Sequence, residues 1–318
     1  DRTVAADEYE AIARKVAEMI CIDAADPSTF EASRLMYYPS CCADSEYVYT
    51  YGDLPLLSAD GMLALYTDWH DMTSWPQVPG ATKTPQRLAA KQEDPETKSG
   101  IVGAFCRTYD VRRALEVFLP GVYDAVDGMD DRLTFTGGST TGGALIYDDG
   151  KYLFSHHATD PCSGKLVNAF DLVRLHKFSD LDDEALPGTP TNRLPSYEAM
   201  QRLAADDAGV KSTMAREKAA QIAEAFGGTA ADSADVEWQT RLTTHSKTGL
   251  PLPTIDNIWL ILENDPQLKD KFALNQFAGR GEVLGSLPWD RETSRRPWSD
   301  NDNAGLYWYM ERFYGITG

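Results

Sequence analysis

With 318 residues the chain has room for two or three domains of ordinary size, and 42% hydrophobic with 25% charged residues is the balance of a globular protein. No apolar run is long enough to span a bilayer, and the first residues lack the basic-then-apolar order of a secretory leader, so a membrane partner is not expected. The net charge of −19 weighs against a protein that coats nucleic acid nonspecifically, because that affinity comes largely from neutralising phosphates; contact with DNA would need a local basic patch.

In chain order, Tyr9, Ile12, Ala13, Val16 and Ile20 recur at helical spacing and predict a helix over 7–20, with Asp7 as its cap. The run Arg34-Leu-Met-Tyr-Tyr38, stopped by Pro39, predicts a strand, and the alternation of Tyr47, Tyr49 and Tyr51 predicts a second one. Residues 74–100, rich in Pro, Gln, Lys and Glu, lack periodicity and read as a linker. Val111, Ala114, Leu115, Phe118 and Leu119 form an amphipathic helix capped by Asp110 and stopped by Pro120-Gly121. A hairpin follows, Ala144–Tyr147 and Lys151–Phe154, because Asp148-Asp149-Gly150 supplies the positive φ angles of a tight turn. Asn168 caps a helix with Ala169, Leu172, Val173 and His176 on one face.

Residues 181–195 are acidic and Pro-rich, a second linker. Helices are predicted over 196–206 and 211–226, the latter ended by Gly227-Gly228, and residues 229–250 are polar and loose. Thr254 caps an apolar helix over 255–262, and Ser299 with Asp302 opens a last helix as a capping box, with Leu306, Met310 and Phe313 on one face. No internal repeat is visible. The five cysteines, Cys21, Cys41, Cys42, Cys106 and Cys162, are odd in number and have no framework spacing, so reduced thiols in a cytoplasm are expected.

Four groups of residues bear on chemistry. Gly137-Gly-Ser-Thr-Thr-Gly-Gly143 invites a phosphate-loop reading, but Ala144 and Leu145 stand where a Lys and a hydroxyl residue are needed, so it reads as a flexible turn. Asp23 and Asp26 are paired carboxylates that could hold Mg²⁺, or Asp26 could simply cap the turn at Pro27. His156, His157 and Cys162 lie close together, but zinc needs a fourth ligand, and the upstream turn at 136–141 offers neither Cys nor His; the bland reading is hydrogen bonding within a turn. Basic residues gather as Arg107, Arg112 and Arg113, as Lys165, Arg174, His176 and Lys177, and as Arg280, Arg291, Arg295 and Arg296 among Trp289 and Trp298. Arginine beside aromatics suits single strands, and solvated charge beside a core tryptophan is the competing reading.

Several strings, taken in order, resemble one group of phage replication proteins. Asp26-Pro-Ser-Thr29 with Arg34-Leu-Met-Tyr-Tyr-Pro-Ser40 resembles the end of an archaeo-eukaryotic-type primase (prim-pol) domain. Ser99–Tyr109, Tyr147–Lys151, Phe154–Pro161 and Asn168–Arg174 are similar to the module that follows it, which has the hairpin-then-helix plan of a bacterial primase zinc ribbon with the cysteines lost. Thr254–Asn257, Leu260–Pro266, Leu287-Pro-Trp289 and Trp298-Ser-Asp300 resemble the lead-in to a helicase domain of the virulence-associated E family.

The resemblance implies an α+β chain: the end of a prim-pol sheet over 1–73, a linker over 74–100, a degenerate zinc-ribbon-like module over 101–180, helices and linkers over 181–250, and a helicase lead-in over 251–318. It implies a third acidic catalytic position at Asp23 or Asp26 and a nucleotide contact at Arg34, with the other catalytic motifs before Asp1 and the ATPase loop after Gly318. The absence of an initiator Met agrees with a longer parent. The function so implied is support of primer synthesis and unwinding by holding template, with single-stranded DNA on Arg107, Arg112, Arg113, Lys165, Arg174 and Lys177, and with the parent's helicase domain or replisome proteins as partners in a bacterial cytoplasm. No cofactor is expected in this chain; Mg²⁺ and nucleotide are implied for the parent. The alternatives are an active Mg²⁺-dependent nucleotidyltransferase and a non-catalytic protein-interaction scaffold of the replisome.

Overall fold

A computed structural model describes residues 2–32, 34, 40–79, 93–186, 188–226, 236–290, 292 and 294–317. The architecture is α+β, and the chain divides into two compact units. Unit 1 is Asp1–Glu93 with Asp110–His176; unit 2 is Asp94–Tyr109 with Lys177–Gly318.

Unit 1 opens with helix α1 (Ala6–Ile20), where the spacing places it. Its cap differs from the expectation. Glu8 turns back to accept from the Ala5 N–H at 2.8 Å, while Asp7 is buried and accepts from the Ser139 hydroxyl at 2.7 Å and the Ala158 N–H at 3.3 Å. A carboxylate that could serve a local cap is used instead to hold two distant loops. The short helix α2 (Ala59–Leu63) packs on α1, and Ala11, Leu63, Met72 and Trp75 form a small core. Trp75 lies inside the stretch read as linker, whose residues 80–92 fall outside the described ones, as do residues 35–39 of the expected first strand. The second expected strand is not there. Residues 40–58 pair with nothing as a strand, and Tyr47, Tyr49 and Tyr51 stand in solvent, the last two rings stacked at 6.1 Å.

The centre of unit 1 is a five-stranded antiparallel meander, β1 (Tyr123–Val126), β2 (Met129–Phe135), β3 (Ala144–Tyr147), β4 (Tyr152–Ser155) and β5 (Leu166–Asn168). The β3–β4 hairpin pairs Tyr147 with Tyr152, and its turn has φ near 52° at Asp148 and Asp149 and 94° at Gly150, as the Asp-Gly signature requires. Helix α4 (Val111–Phe118) precedes the sheet, with Asp110 accepting from the Arg113 N–H at 2.7 Å. Helix α5 (Ala169–Phe178) follows it, with Asn168 Oδ1 accepting from the Asp171 N–H at 2.9 Å. Ala144, Leu153, Phe170, Leu172 and Val173 are buried, so strand and helix faces close a common interior.

Unit 2 is mostly helical: α3 (Gly100–Thr108), α6 (Pro195–Asp206), α7 (Ala208–Phe226), α8 (Ile255–Asn264) and α9 (Asp300–Tyr309). A single π-helical stretch, Met310–Tyr314, continues α9 and ends at Gly315. A three-stranded antiparallel sheet, β6 (Phe272–Asn275), β7 (Arg280–Val283) and β8 (Arg296–Pro297), completes it. Its core gathers Trp238, Leu242, Ile261, Leu268, Tyr309, Phe313 and Tyr314. Trp238 and Leu242 come from the segment expected to be loose, so the polar composition of 229–250 hides two anchors. Thr254 caps α8 by accepting from the Asn257 N–H at 3.2 Å, and the Ser299/Asp302 capping box opens α9, both as predicted. On α9 a Cβ at Gly305 would lie 2.1 Å from the Trp289 ring, so only glycine lets that indole lie against the helix.

Candidate functional site

The turn carrying the expected catalytic acids is two 3₁₀ stretches, Ile22–Ala24 and Pro27–Phe30. Asp26 caps the second. Its Oδ1 accepts from the Ser28 N–H at 3.0 Å and the Ser28 hydroxyl at 2.6 Å, and its Oδ2 pairs with Arg34 at 3.2 Å. Those donors hold the Asp26 carboxyl below its usual range, the Ser28 hydroxyl contributing most. Both oxygens of Asp26 thus have partners, Arg34 among them, while Asp23 and Glu31 are exposed at this turn. The Asp26–Arg34 pair is exposed and therefore weak, so it is the cap to Ser28 that gives Asp26 a structural role at this turn.

The densest polar chemistry lies elsewhere, inside unit 1, where Asp160 is buried. Its carboxylate accepts from the Tyr123 hydroxyl at 2.5 Å and the Cys162 N–H at 2.7 Å, and His176 Nε2 lies 3.3 Å away. Tyr123 also lies 3.0 Å from His176 Nε2. Burial pushes the Asp160 carboxyl upward, but the bonds from His176, Ser155, Tyr123 and the Cys162 N–H outweigh it, and the net direction is down. Beside this anion, burial raises the Tyr123 hydroxyl and the Cys162 thiol far above their usual values. A thiol so held is protonated and unreactive.

His157 is used up as well. Its Nε2 accepts from the backbone N–H of Phe135 and of Gly143, each at 3.2 Å, so Nδ1 carries the proton and faces Thr140 Oγ1 at 2.9 Å. One neutral imidazole thus fastens both ends of the glycine-rich segment to the sheet, and burial keeps its pKa low. That segment is held rather than loose: the Thr141 N–H donates to His70 O at 2.7 Å, and Thr141 O accepts from the Met72 N–H at 3.0 Å. His156 is half-buried, its ring against Phe154, and desolvation lowers it to about 4. Among the described residues the donors close enough to share a cation are Asp160, Cys162 and His176, all within 4.8 Å of one another, a different set from His156, His157 and Cys162.

The basic residues separate into engaged and open ones. Arg107, in unit 2, clamps Glu217 through Nε and Nη2 and donates to the carbonyls of Glu96 and Lys98. Arg174 is buried and donates to Asp171 at 2.9 Å. Arg112 pairs with Asp131 at 2.6 Å and Arg113 with Glu116 at 2.7 Å, both at the surface. Lys165 and Lys177 are exposed, Lys165 lying 3.4 Å from Pro161 O. In the third cluster Arg296 grips Asp290 and Asp302, Arg295 pairs with Glu282, and the Trp289 indole donates to Asp302 at 3.1 Å; Arg291 lies outside the described residues. Around buried Asp302, half-buried Arg296 and partly buried Trp289 form a helix-cap hub, while Arg280 and Arg295 are exposed at its edge.

Sequence reasoning missed the Asp160 hub because its partners lie far apart in the chain, Tyr123 37 residues before it and His176 53 residues after that tyrosine. The only local signal was Asp160-Pro161, which reads as an ordinary turn. Among the described residues no helix is long and apolar enough to cross a membrane. Comparison with known proteins gives no match among curated proteins and none among solved structures. Residues 1–78 match the family model described as the VapE N-terminal domain, so the α1–α2 part of unit 1 is VapE-like.

Proposed function

We propose that this chain supports DNA replication in a phage-encoded VapE-like protein, acting in the bacterial cytoplasm as a non-catalytic part that holds single-stranded template. The match of residues 1–78 carries this reading. The use of Asp26 as the cap of its own turn supports the non-catalytic half of it, and with that half goes the proposal that Mg²⁺ and nucleotide belong to other parts of the parent. For the strand, the surface narrows to Arg112, Arg113 and Lys165 of unit 1. Exposed ion pairs such as Arg112–Asp131 and Arg113–Glu116 contribute about 0–1 kcal/mol, so a phosphate competes with them at little cost. Arg107 and Arg174 are committed to structure, and Lys177 adds charge in unit 2.

The test is the anisotropy of a labelled single-stranded oligonucleotide against the whole chain at low salt. Weak binding is expected, with a log–log salt slope of roughly −0.7 for each phosphate contact and loss on joint reversal of Arg112 and Arg113 to Glu. Binding that is undetectable, or untouched by the reversal, sinks the strand-holding reading. Template-dependent nucleotide incorporation by the chain, abolished by Asp23→Ala or Asp26→Ala, would show an active nucleotidyltransferase instead.

A second reading, a replisome interaction scaffold, is favoured by one observation. Tyr47, Val48, Tyr49, Tyr51, Leu54 and Leu56 are all exposed within the family-matched residues, among Asp44, Glu46 and Asp53. An apolar, acidic stretch suits a protein surface better than a phosphate backbone.

A further inference from the structure

We infer that unit 2 holds a binding pocket for a small apolar compound that ends in a carboxylate. One face of α7 supplies Lys211, Met214 and Lys218, at the helical spacing that aligns side chains in a row. Opposite it stand Leu242, after the 3₁₀ turn Glu237–Arg241, and the loop that carries Gly249 and Leu250. Together they line a partly open cavity of about 60 Å³, below the roughly 300–1,000 Å³ of drug-sized ligand sites and so suited to a small, slender ligand alone. Gly249 has φ 68°, and a Cβ there would press on Met214 Sδ at 3.0 Å and Ile101 Cδ1 at 3.1 Å, so glycine is what lets the loop run this close to the pocket wall. Tyr314 presents its ring, its hydroxyl being spent on Asp265 at 2.6 Å.

The charge in this pocket is the unusual feature. The chain has 49 acidic residues against 30 basic ones, and Arg107, Arg112, Arg113, Arg174 and Arg296 each sit against a carboxylate. Among the described residues neither Lys211 nor Lys218 has one, and the partner of the Lys218 ammonium is the neutral Gln221 Oε1 at 3.3 Å. Half-buried beside apolar walls, that ammonium loses hydration without a compensating anion, and desolvation alone lowers its pKa. A ligand carboxylate restores the missing charge, and an alkyl or aryl body covers Met214, Leu242 and Leu250. The limited volume and the mainly apolar lining favour a single small anionic head over a nucleotide or polyphosphate.

The probes are octanoate, octanol and an N-acetylated dipeptide ending in leucine, titrated into the whole chain labelled with ¹³C at its methionine methyls. Met214→Leu assigns the reporting signal. A saturable shift of the Met214 methyl with octanoate is expected, weakened at least about tenfold in Lys218→Met and at least about tenfold for octanol. Lys218→Arg, which keeps the charge, should retain binding. A shift with the dipeptide alone would make a chain terminus the source of the carboxylate, and the inference stands. No saturable shift with either acid, equal affinity for octanoate and octanol, or unaltered affinity in Lys218→Met overturns it. If Lys218→Met does not fold, the acid–alcohol comparison on the unaltered chain decides. DNA binding is not used as a readout, so failure here leaves the replication reading untouched.

Discussion

In unit 1 Asp160 accepts from Tyr123, Ser155, the Cys162 N–H and His176; in unit 2 Asp265 accepts from Tyr309 at 2.8 Å, Tyr314 at 2.6 Å and the Gln267 N–H at 2.7 Å. Both carboxyls are buried, and both face tyrosines whose hydroxyls burial has made harder to ionise. Yet Asp160 is shifted down and Asp265 up. Desolvation is the largest cause in each, so the donors decide the sign. Four donors that include an imidazole hold Asp160 as an anion, whereas three neutral donors fall short for Asp265. A buried aspartate ringed by tyrosines is thus two different devices, a hub under a sheet whose donors favour the anion and a tie inside an aromatic core where burial works against it.

Substitution by asparagine breaks this comparison most directly. Asp160→Asn removes a charged acceptor from several donors at once, where bonds to charged groups contribute about 1.5–3 kcal/mol each, so a loss of at least about 2 kcal/mol is expected in unit 1. Asp265→Asn removes a charge that burial already disfavours and should cost less than Asp160→Asn. Urea denaturation followed by amide hydrogen exchange in β3–β4 and in α8–α9 resolves the two. Equal losses would mean that the opposite shifts have no energetic counterpart.

Acidification sharpens the comparison with a smaller effect. His156, at about 4, and His157 lie below their unfolded value near 6.5, so their contribution is complete above about 6.5 and is lost as pH falls toward their folded values. Asp265, shifted up, contributes below its unfolded value and loses that contribution as pH rises through its folded one. Between pH 6.5 and about 4.5 unit 1 should therefore weaken while unit 2 holds or gains; lower still, unit 2 loses its own low-shifted Asp302 and Asp290. Hydrogen exchange corrected for the intrinsic rate reads this, and unit 2 opening first on that interval would refute it.

The contrast also separates what was legible in the sequence from what was not. The β3–β4 turn, the Asn168 and Thr254 caps and the Ser299/Asp302 box were readable because each is settled within four residues by its own hydrogen bonds. Strands β1 and β2 were not, since Asp124, Asp127, Asp130 and Asp131 interrupt any alternation on strands that are largely exposed. Asp7 had the position of a cap but is taken by Ser139 and Ala158, more than 130 residues away. Tyr47, Tyr49 and Tyr51 had the alternation of a strand without a partner to pair with among the described residues. For the candidate sites, residue type alone suggested arginines for DNA; Glu217, which occupies Arg107, comes from 110 residues away and only the fold supplies it, whereas Asp171 on Arg174 is a neighbour on the same helix.

The smallest effect predicted is none at all, on removing metal. Asp160, Cys162 and His176 are close enough to share a cation, and a zinc ion there would offer a rival reason for an ionised Asp160. The geometry argues against that reason. Asp160 already accepts from Tyr123 and the Cys162 N–H, His157 has both ring nitrogens engaged, and the Cys162 thiol is pushed away from the thiolate that zinc requires. The apolar burial of Leu153, Phe170, Leu172 and Val173 supplies unit 1 with the cohesion that a zinc ribbon takes from its ion. Dialysis against a chelator should leave the melting midpoint and the β3–β4 exchange protection where they were. Stoichiometric zinc by elemental analysis, with protection lost on chelation and restored by zinc, would transfer the low carboxyl of Asp160 from its hydrogen bonds to a metal, and the difference from Asp265 would then be one of coordination.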